Sequence, residues 1–284
     1  MFDEFSDRAW LWAAAACYFT GFVQGTLSLL RSGRPAGSAT YTLICIGFIL
    51  QLIGLGIRGR AVGGCPLGNQ FEVLQFTAWS AITLYLVIGV TFRNSLLGYF
   101  VACLTTVLTT LSLAIPAWDA TQRTHIFGNN PWIELHAALA VFSYGVFALL
   151  SLTSLMFLLR NWSLKTKHPG GRYSFLPSIL DLDHIGVRLL GAGVTILSIA
   201  LAVIATYWLR DTSTADTSKI FSTVAIWLAY VVALGLRLQG RLLSKRFAWT
   251  CLALFAAALL SLGPVDASRH PAKKPSAVET AREP

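Results

Sequence analysis

Five histidines, His125, His136, His168, His184 and His270, are the residues in this sequence best suited to chemistry. An imidazole is costly to hold at membrane depth. It is a functional candidate there because it can offer a neutral ring nitrogen to a metal or carry a proton. His136 lies in PWIELHAALAVFSYG, one turn into an apolar run. Two readings fit it: a metal ligand, or a ring that only hydrogen-bonds a neighbouring helix, with Glu134 and Tyr144 as its nearest polar candidates. His184, in LDHIGVRLLGAG, has Arg188 one turn later on the same helix face. Either the imidazole ligates an iron centre while the guanidinium pairs with an acidic group of the ligand, or the two are an interfacial cap with a snorkelling arginine. His270 follows the last apolar run in GPVDASRHPAKK and by position alone is a tail residue. His125 and His168 sit in polar loops.

The elements that must position these rings follow from composition. The 284 residues are 55% hydrophobic and 12% charged, with a mean hydropathy of +0.63, whereas a soluble domain carries roughly a quarter charged residues. Apolar runs of about 17 to 25 residues, the length that crosses a hydrocarbon core of about 30 Å, recur along the chain. They fall near residues 9–30, 39–57, 71–92, 96–115, 132–159, 185–209, 220–236 and 247–262. Lipid-embedded backbone must satisfy its own hydrogen bonds, and these runs lack the alternation of barrel strands. The expected fold is therefore all-α, a polytopic transmembrane helix bundle of about eight spans over residues 1–263, followed by a disordered tail, 264–284, rich in Pro, Ala and charge. The first span follows an acidic start (Asp3, Glu4, Asp7) with no basic leader region or small-residue cleavage site, so it is expected to remain in the mature protein. Cys17, Cys45, Cys103 and Cys251 lie inside spans and Cys65 in a loop, which is no disulfide framework.

Orientation follows the basic residues of short loops. With the N-terminus outside, the inner loops hold Arg31, Arg34, Arg93, Arg160, Lys165, Lys167, Arg172, Arg237, Arg241, Lys245 and Arg246. The outer segments before the tail hold Arg8, Arg58, Arg60, Arg123, Arg210 and Lys219. Both termini are thus expected outside an integral plasma (inner) membrane, with the net charge of +9 serving mainly to anchor the inner face to anionic lipid. Nucleic acid is not an expected partner, since that would need a basic face on a soluble module. A glycine-rich outer loop, RGRAVGGCPLGNQ (58–70), a second outer loop (116–131) carrying Trp118 and His125, and a basic inner loop (161–183) are longer than tight turns. No phosphate loop, HExxH, GxSxG or clustered metal-ligand motif is present, so ordinary soluble-enzyme chemistry has no candidate site.

Three of these segments, in order, resemble the cytochrome c assembly family of CcsA- and ResC-like membrane proteins with its YpjD- and HemX-type relatives. PLGNQFEVLQFTAW is similar to the family's PLxNxxE segment through Pro66, Leu67, Asn69 and Glu72. PWIELHAALAVFSYG is similar to its W-x-x-x-H…SY helix, and LDHIGVRLLGAG to its LDxxxxRxxGxG opening through Leu182, Asp183, Arg188, Gly191 and Gly193. The resemblance implies a haem-handling membrane protein. His136 and His270 would hold iron at the outer face, and His184 with Arg188 would engage haem or its propionates near the inner face. Of the family's tryptophan-rich outer loop, WGxxWxWDPKE, this chain keeps Trp208, with Asp216 and Lys219 as candidate counterparts and Trp227 at the next span. The corresponding stretch here, YWLRDTSTADTSKIFSTVAIW, lacks the central tryptophans and the proline.

Two functions follow from that resemblance and that departure. One is haem handling in cytochrome c assembly, within a haem-attachment system whose partners are haem, apocytochrome c and a further membrane protein that positions the apoprotein. The other is a membrane assembly or tetrapyrrole-regulatory subunit that keeps the scaffold without binding haem. A two-haem cytochrome b is disfavoured, because His136 and His184 would lie at opposite faces of the membrane.

Overall fold

The computed structural model describes residues 6–32, 37–89, 97–120, 124, 130–165, 178–208 and 217–267. They form eight long helices and one 3-10 turn, with no strand among the described residues: α1 (Asp7–Ser32), α2 (Gly37–Val62), α3 (Gln70–Gly89), α4 (Leu97–Ala114), the turn Pro116–Asp119, α5 (Pro131–Lys165), α6 (Ile179–Trp208), α7 (Thr217–Leu238) and α8 (Ser244–Ala267). The protein is a polytopic helical membrane bundle. Four helices, α2, α5, α6 and α7, are long and apolar enough to cross a bilayer on that criterion alone, and α4 carries a shorter apolar stretch.

α1 and α3 carry polar side chains that are used inside the protein. Tyr18 Oη on α1 donates to Gln51 Oε1 on α2 at 2.9 Å. Gln51 Nε2 then donates to Gln75 Oε1 on α3 at 2.9 Å, and Gln75 Nε2 to Ser112 Oγ on α4 at 2.8 Å. All four residues are buried, so a single chain of hydrogen bonds ties the first four helices together. Without water to compete, side-chain amides and hydroxyls act as glue between membrane helices, about 0.6 to 2 kcal/mol per contact.

α5 is the central helix, packed against α3, α6 and α8. An apolar helix with no polar face belongs in the interior, and every residue from Ser143 to Leu150 is buried. Two glycines permit this packing. A Cβ at Gly145 would meet Ala81 N of α3 at 2.9 Å and Ser80 C at 3.0 Å, both rigid backbone. A Cβ at Gly193 on α6 would meet Phe147 Cδ1 at 2.8 Å, and the Phe147 ring in turn stacks on Tyr230 of α7 at 3.7 Å between centroids. The second glycine of the LDxxxxRxxGxG segment therefore lets α6 approach α5, while Gly191 faces open space.

Two helix ends and one side chain differ from the sequence expectation. α2 continues through Arg58 and Arg60 to Val62, because the breakers that end it are Gly63, at φ +73°, and Gly64. Those two arginines are therefore helical rather than loop residues, and the loop expected at 58–70 shrinks to 63–69. α8 runs through Pro264 to Ala267. Trp118, expected in a loop, is half-buried against Leu11, Phe71, Leu113 and their neighbours.

Gly145→Ala should destabilise the bundle by roughly 1–3 kcal/mol through overpacking against α3. Thermal unfolding in detergent should register that loss, whereas Gly191→Ala should leave the midpoint unchanged.

Candidate functional site

A cluster of ionisable residues lies at one end of the bundle, where α1, α3 and α5 begin and α2, α4 and α6 end. Arg58, on the last turn of α2, is 1% exposed. Its Nη1 pairs with Asp7 Oδ2 of α1 at 2.7 Å, its Nε with Glu72 Oε1 of α3 at 2.8 Å, and its Nη2 with Asp119 in the turn after α4. Arg8 joins the cluster through Asp119 Oδ2 at 2.6 Å and the Leu113 carbonyl at 3.0 Å. Both guanidinium carbons lie over the Phe71 ring, at 5.1 Å for Arg58 and 5.5 Å for Arg8. A planar guanidinium spreads five N–H donors over three nitrogens and so serves three separated carboxylates, whereas the three donors of an ammonium radiate from a single atom.

The PLGNQFE segment has a local role in this arrangement. Asn69 caps α3 by accepting from Glu72 N at 2.9 Å, and Glu72 Oε2 reaches back to accept from Gly68 N at 2.6 Å. This is a capping box shifted by one residue: Asn at the cap takes the Glu72 amide, and Glu three residues on takes the amide of Gly68, just before the cap. The other Glu72 oxygen is thereby aimed at Arg58. The same loop offers a second amide: Cys65 N donates to Glu134 Oε1 on the first turn of α5. Burial first, and then the Glu134 and Glu72 carboxylates, push the Cys65 thiol up to about 12, so it stays protonated at neutral pH.

His136 stands two residues after Glu134 and is half-buried. Neither polar partner expected from sequence is the one the structure gives for its Nδ1, which lies 2.7 Å from the Ala200 carbonyl of α6. A carbonyl only accepts, so Nδ1 donates. The helix that holds this ring begins with Pro131 at its first position and with Asn130, which accepts from Trp132 N at 3.0 Å. Proline and the asparagine cap set the start of α5, and with it the register that turns His136 toward α6.

The other residues singled out in the sequence are dispersed. His184 and Arg188 are both exposed, one turn apart on α6. His184 precedes Ala200 by sixteen residues, about 24 Å along the helix, so His136 and His184 cannot ligate one iron. Asp183, beside His184, ion-pairs not with Arg188 but with Arg237 of α7. Arg237 also donates to the Leu242 carbonyl at 3.0 Å and lies 5.0 Å from the Phe247 ring of α8. That pairing closes the opposite end of the bundle. Trp208 is the last residue of α6, eight residues beyond Ala200 and so at the His136 end. Phe247 lies near the start of α8, which spans 24 residues, so α8 ends at the His136 end, three residues before His270. His270, His125 and His168 themselves lie outside the described residues. Among the described residues, no group of three or more His, Cys, Asp or Glu side chains is arranged to hold a metal.

Sequence reasoning missed the Arg58 cluster and the Asp183–Arg237 pair. The signal was present: Asp7, Arg58 and Glu72 all lie within a turn or so of span ends that an alternating topology places on one side. Counting Arg58 as a loop cation hid it.

Fold and site together define a helical membrane protein whose buried ion cluster stands beside an imidazole at one end of the bundle. The chain belongs to the cytochrome c assembly protein family, whose sequence pattern matches residues 67–264. It is 28% identical to Protein HemX of Bacillus subtilis (strain 168) over 225 residues, 77% of this chain and 80% of that one. Protein HemX of Brevibacillus brevis is 28% identical over 194 residues, 68% of each chain. Cytochrome c biogenesis protein CcsA of Chlamydomonas reinhardtii is 27% identical over 205 residues, 67% of this chain but 55% of that protein.

Arg58→Ala would leave three carboxylates without their shared cation. Breaking a buried ion pair from one side costs roughly 3–5 kcal/mol, and the variant should accumulate poorly and unfold early in detergent. Arg58→Lys should not restore the wild-type midpoint, because the three donors of an ammonium radiate from a single atom.

Proposed function

We propose that this protein handles haem in cytochrome c assembly, binding or presenting it at the outer membrane face through His136. The observation that carries this reading is the hydrogen bond from Nδ1 to the Ala200 carbonyl. With the proton held on Nδ1, a neutral ring keeps its lone pair on Nε2. The carbonyl also fixes the ring plane and raises the basicity of Nε2, the arrangement in which proteins present imidazole to a metal. His136 therefore fits a ligand of a haem iron. His270, three residues past the end of α8 in sequence, would supply a second, and Trp208 would offer an aromatic face. At the opposite end, exposed His184 and Arg188 would engage haem or its propionates. Bound haem would supply the redox chemistry of iron, and the chain's own residues would orient it and hold it for transfer to apocytochrome c. A partner membrane protein would position that apoprotein.

This reading takes the Arg58 end as the outer face of the inner membrane, with both termini outside. Family membership and the relatives named CcsA support it. One observation favours the second function, a subunit of assembly or of tetrapyrrole regulation without bound haem: the stretch after Trp208 lacks the tryptophans and proline that the family's outer loop carries.

The purified protein should show a Soret band and sharp bands on reduction, and His136→Ala should abolish them without impairing insertion, since alanine costs a helix little. A wild-type protein free of tetrapyrrole would instead support the second function. A reporter fused after Arg246 should behave as cytoplasmic and one fused after Arg210 as external; the reverse pattern would invert the sides assigned here.

A further inference from the structure

Haem handling as proposed leaves the glycine-rich loop 63–69 at the same end without a role. Its amides bind two carboxylates from different helices: Gly68 N donates to Glu72 and Cys65 N to Glu134. The loop is shaped for the second of these. Gly63 takes a positive φ of +73°, which glycine adopts at no steric cost. Gly64 N donates to Gly59 O at 3.0 Å, folding the chain back on the end of α2. A Cβ at Gly64 would lie 3.2 Å from Glu134 Oε1, so the absence of a side chain there leaves room for the carboxylate. The loop is itself fastened from below, because Glu72 bonds both Gly68 N and Arg58.

We propose that Glu134 is a positioning residue for His136, fastening the first turn of α5 to the 63–69 loop so that the imidazole is offered to its ligand in one orientation. The inference rests on the reading of His136 as a haem ligand, but its mechanical content does not require haem. His136 is held at two points. Its ring is bonded to α6 in the second half of the bundle, and its backbone, through Glu134 two residues earlier, is bonded to a loop of the first half. The first turn of a helix frays most easily, since its leading amides have no intrahelical partner. A charge-assisted bond to the loop removes that freedom at the turn carrying the ligand. Glu134 does not touch the Nε2 lone pair; it acts through the register of α5.

The test compares wild type, Glu134→Ala, Glu134→Gln and Gly64→Ala, each purified in detergent. With haem bound, Glu134→Ala should accumulate normally yet show a shifted Soret maximum and at least a several-fold faster loss of haem to an apoprotein acceptor. Glu134→Gln, which keeps an acceptor for Cys65 N, should restore most of both. Gly64→Ala, which crowds the carboxylate without altering α5, should shift them the same way to a smaller degree. Without haem, 15N NMR of histidine-labelled protein, assigned by His136→Gln, should give a single His136 resonance set protonated on Nδ1 in wild type. It should broaden or mix tautomers in Glu134→Ala. If Glu134→Ala fails to accumulate, Gly64→Ala and the NMR comparison decide. An unchanged His136 spectrum and unchanged haem release in the variants would overturn the proposal. A wild type without haem would count against haem handling, and the NMR arm would still decide the role of Glu134.

Discussion

A guanidinium on the last turn of a membrane helix cannot be left in hydrocarbon or half-desolvated protein without anions around it. Arg58 meets that constraint by gathering one carboxylate each from α1, α3 and the turn after α4, so the charge can be satisfied only when all of these segments are in place. The cost of stranding it exceeds that of losing any single packing contact. This makes the cluster a condition on assembly of the first half rather than an added contact. The hydrogen-bond chain from Tyr18 to Ser112 repeats the principle deeper in the membrane with neutral groups.

The second half is held by different means. There α5, α6 and α7 meet through Gly193, Phe147 and Tyr230, so close approach and ring stacking replace buried charge, and one ion pair, Asp183 to Arg237, closes the far end. α5 belongs to both systems. Its Gly145 seats it on α3 of the first half, its Phe147 on α6 and α7 of the second, and His136 stands near its pinned end. A residue at that junction is sensitive to the relative placement of the two halves, which suits the ligand-holding role proposed for it.

Much of this could be read from the sequence and some could not, for identifiable reasons. Each of the eight helices overlaps one of the expected apolar runs, because run length is a direct consequence of bilayer thickness and survives any detail of packing. The PLxNxxE and LDxxxxRxxGxG segments were visible as patterns, but their physical content was not. That Glu72 would bridge a loop amide and Arg58, or that Asp183 would turn to Arg237 instead of Arg188, depends on the rotation of helices about their axes. Apolar periodicity does not encode rotation in helices that are apolar on every side. The partner of His136 was missed for the same reason: a backbone carbonyl on another helix has no signature in residue type.

α5 has 35 residues and so measures about 52 Å, against about 30 Å of hydrocarbon. The excess must appear as tilt or as protrusion. Its Pro131 end is fastened by Asn130, by Glu134 and, through the 63–69 loop, by the Arg58 cluster, while its Lys165 end carries Arg160 and Lys165, whose long side chains adapt to the depth of the interface. A membrane that thickens or thins is therefore expected to be met at the Lys165 end of α5, away from the imidazole.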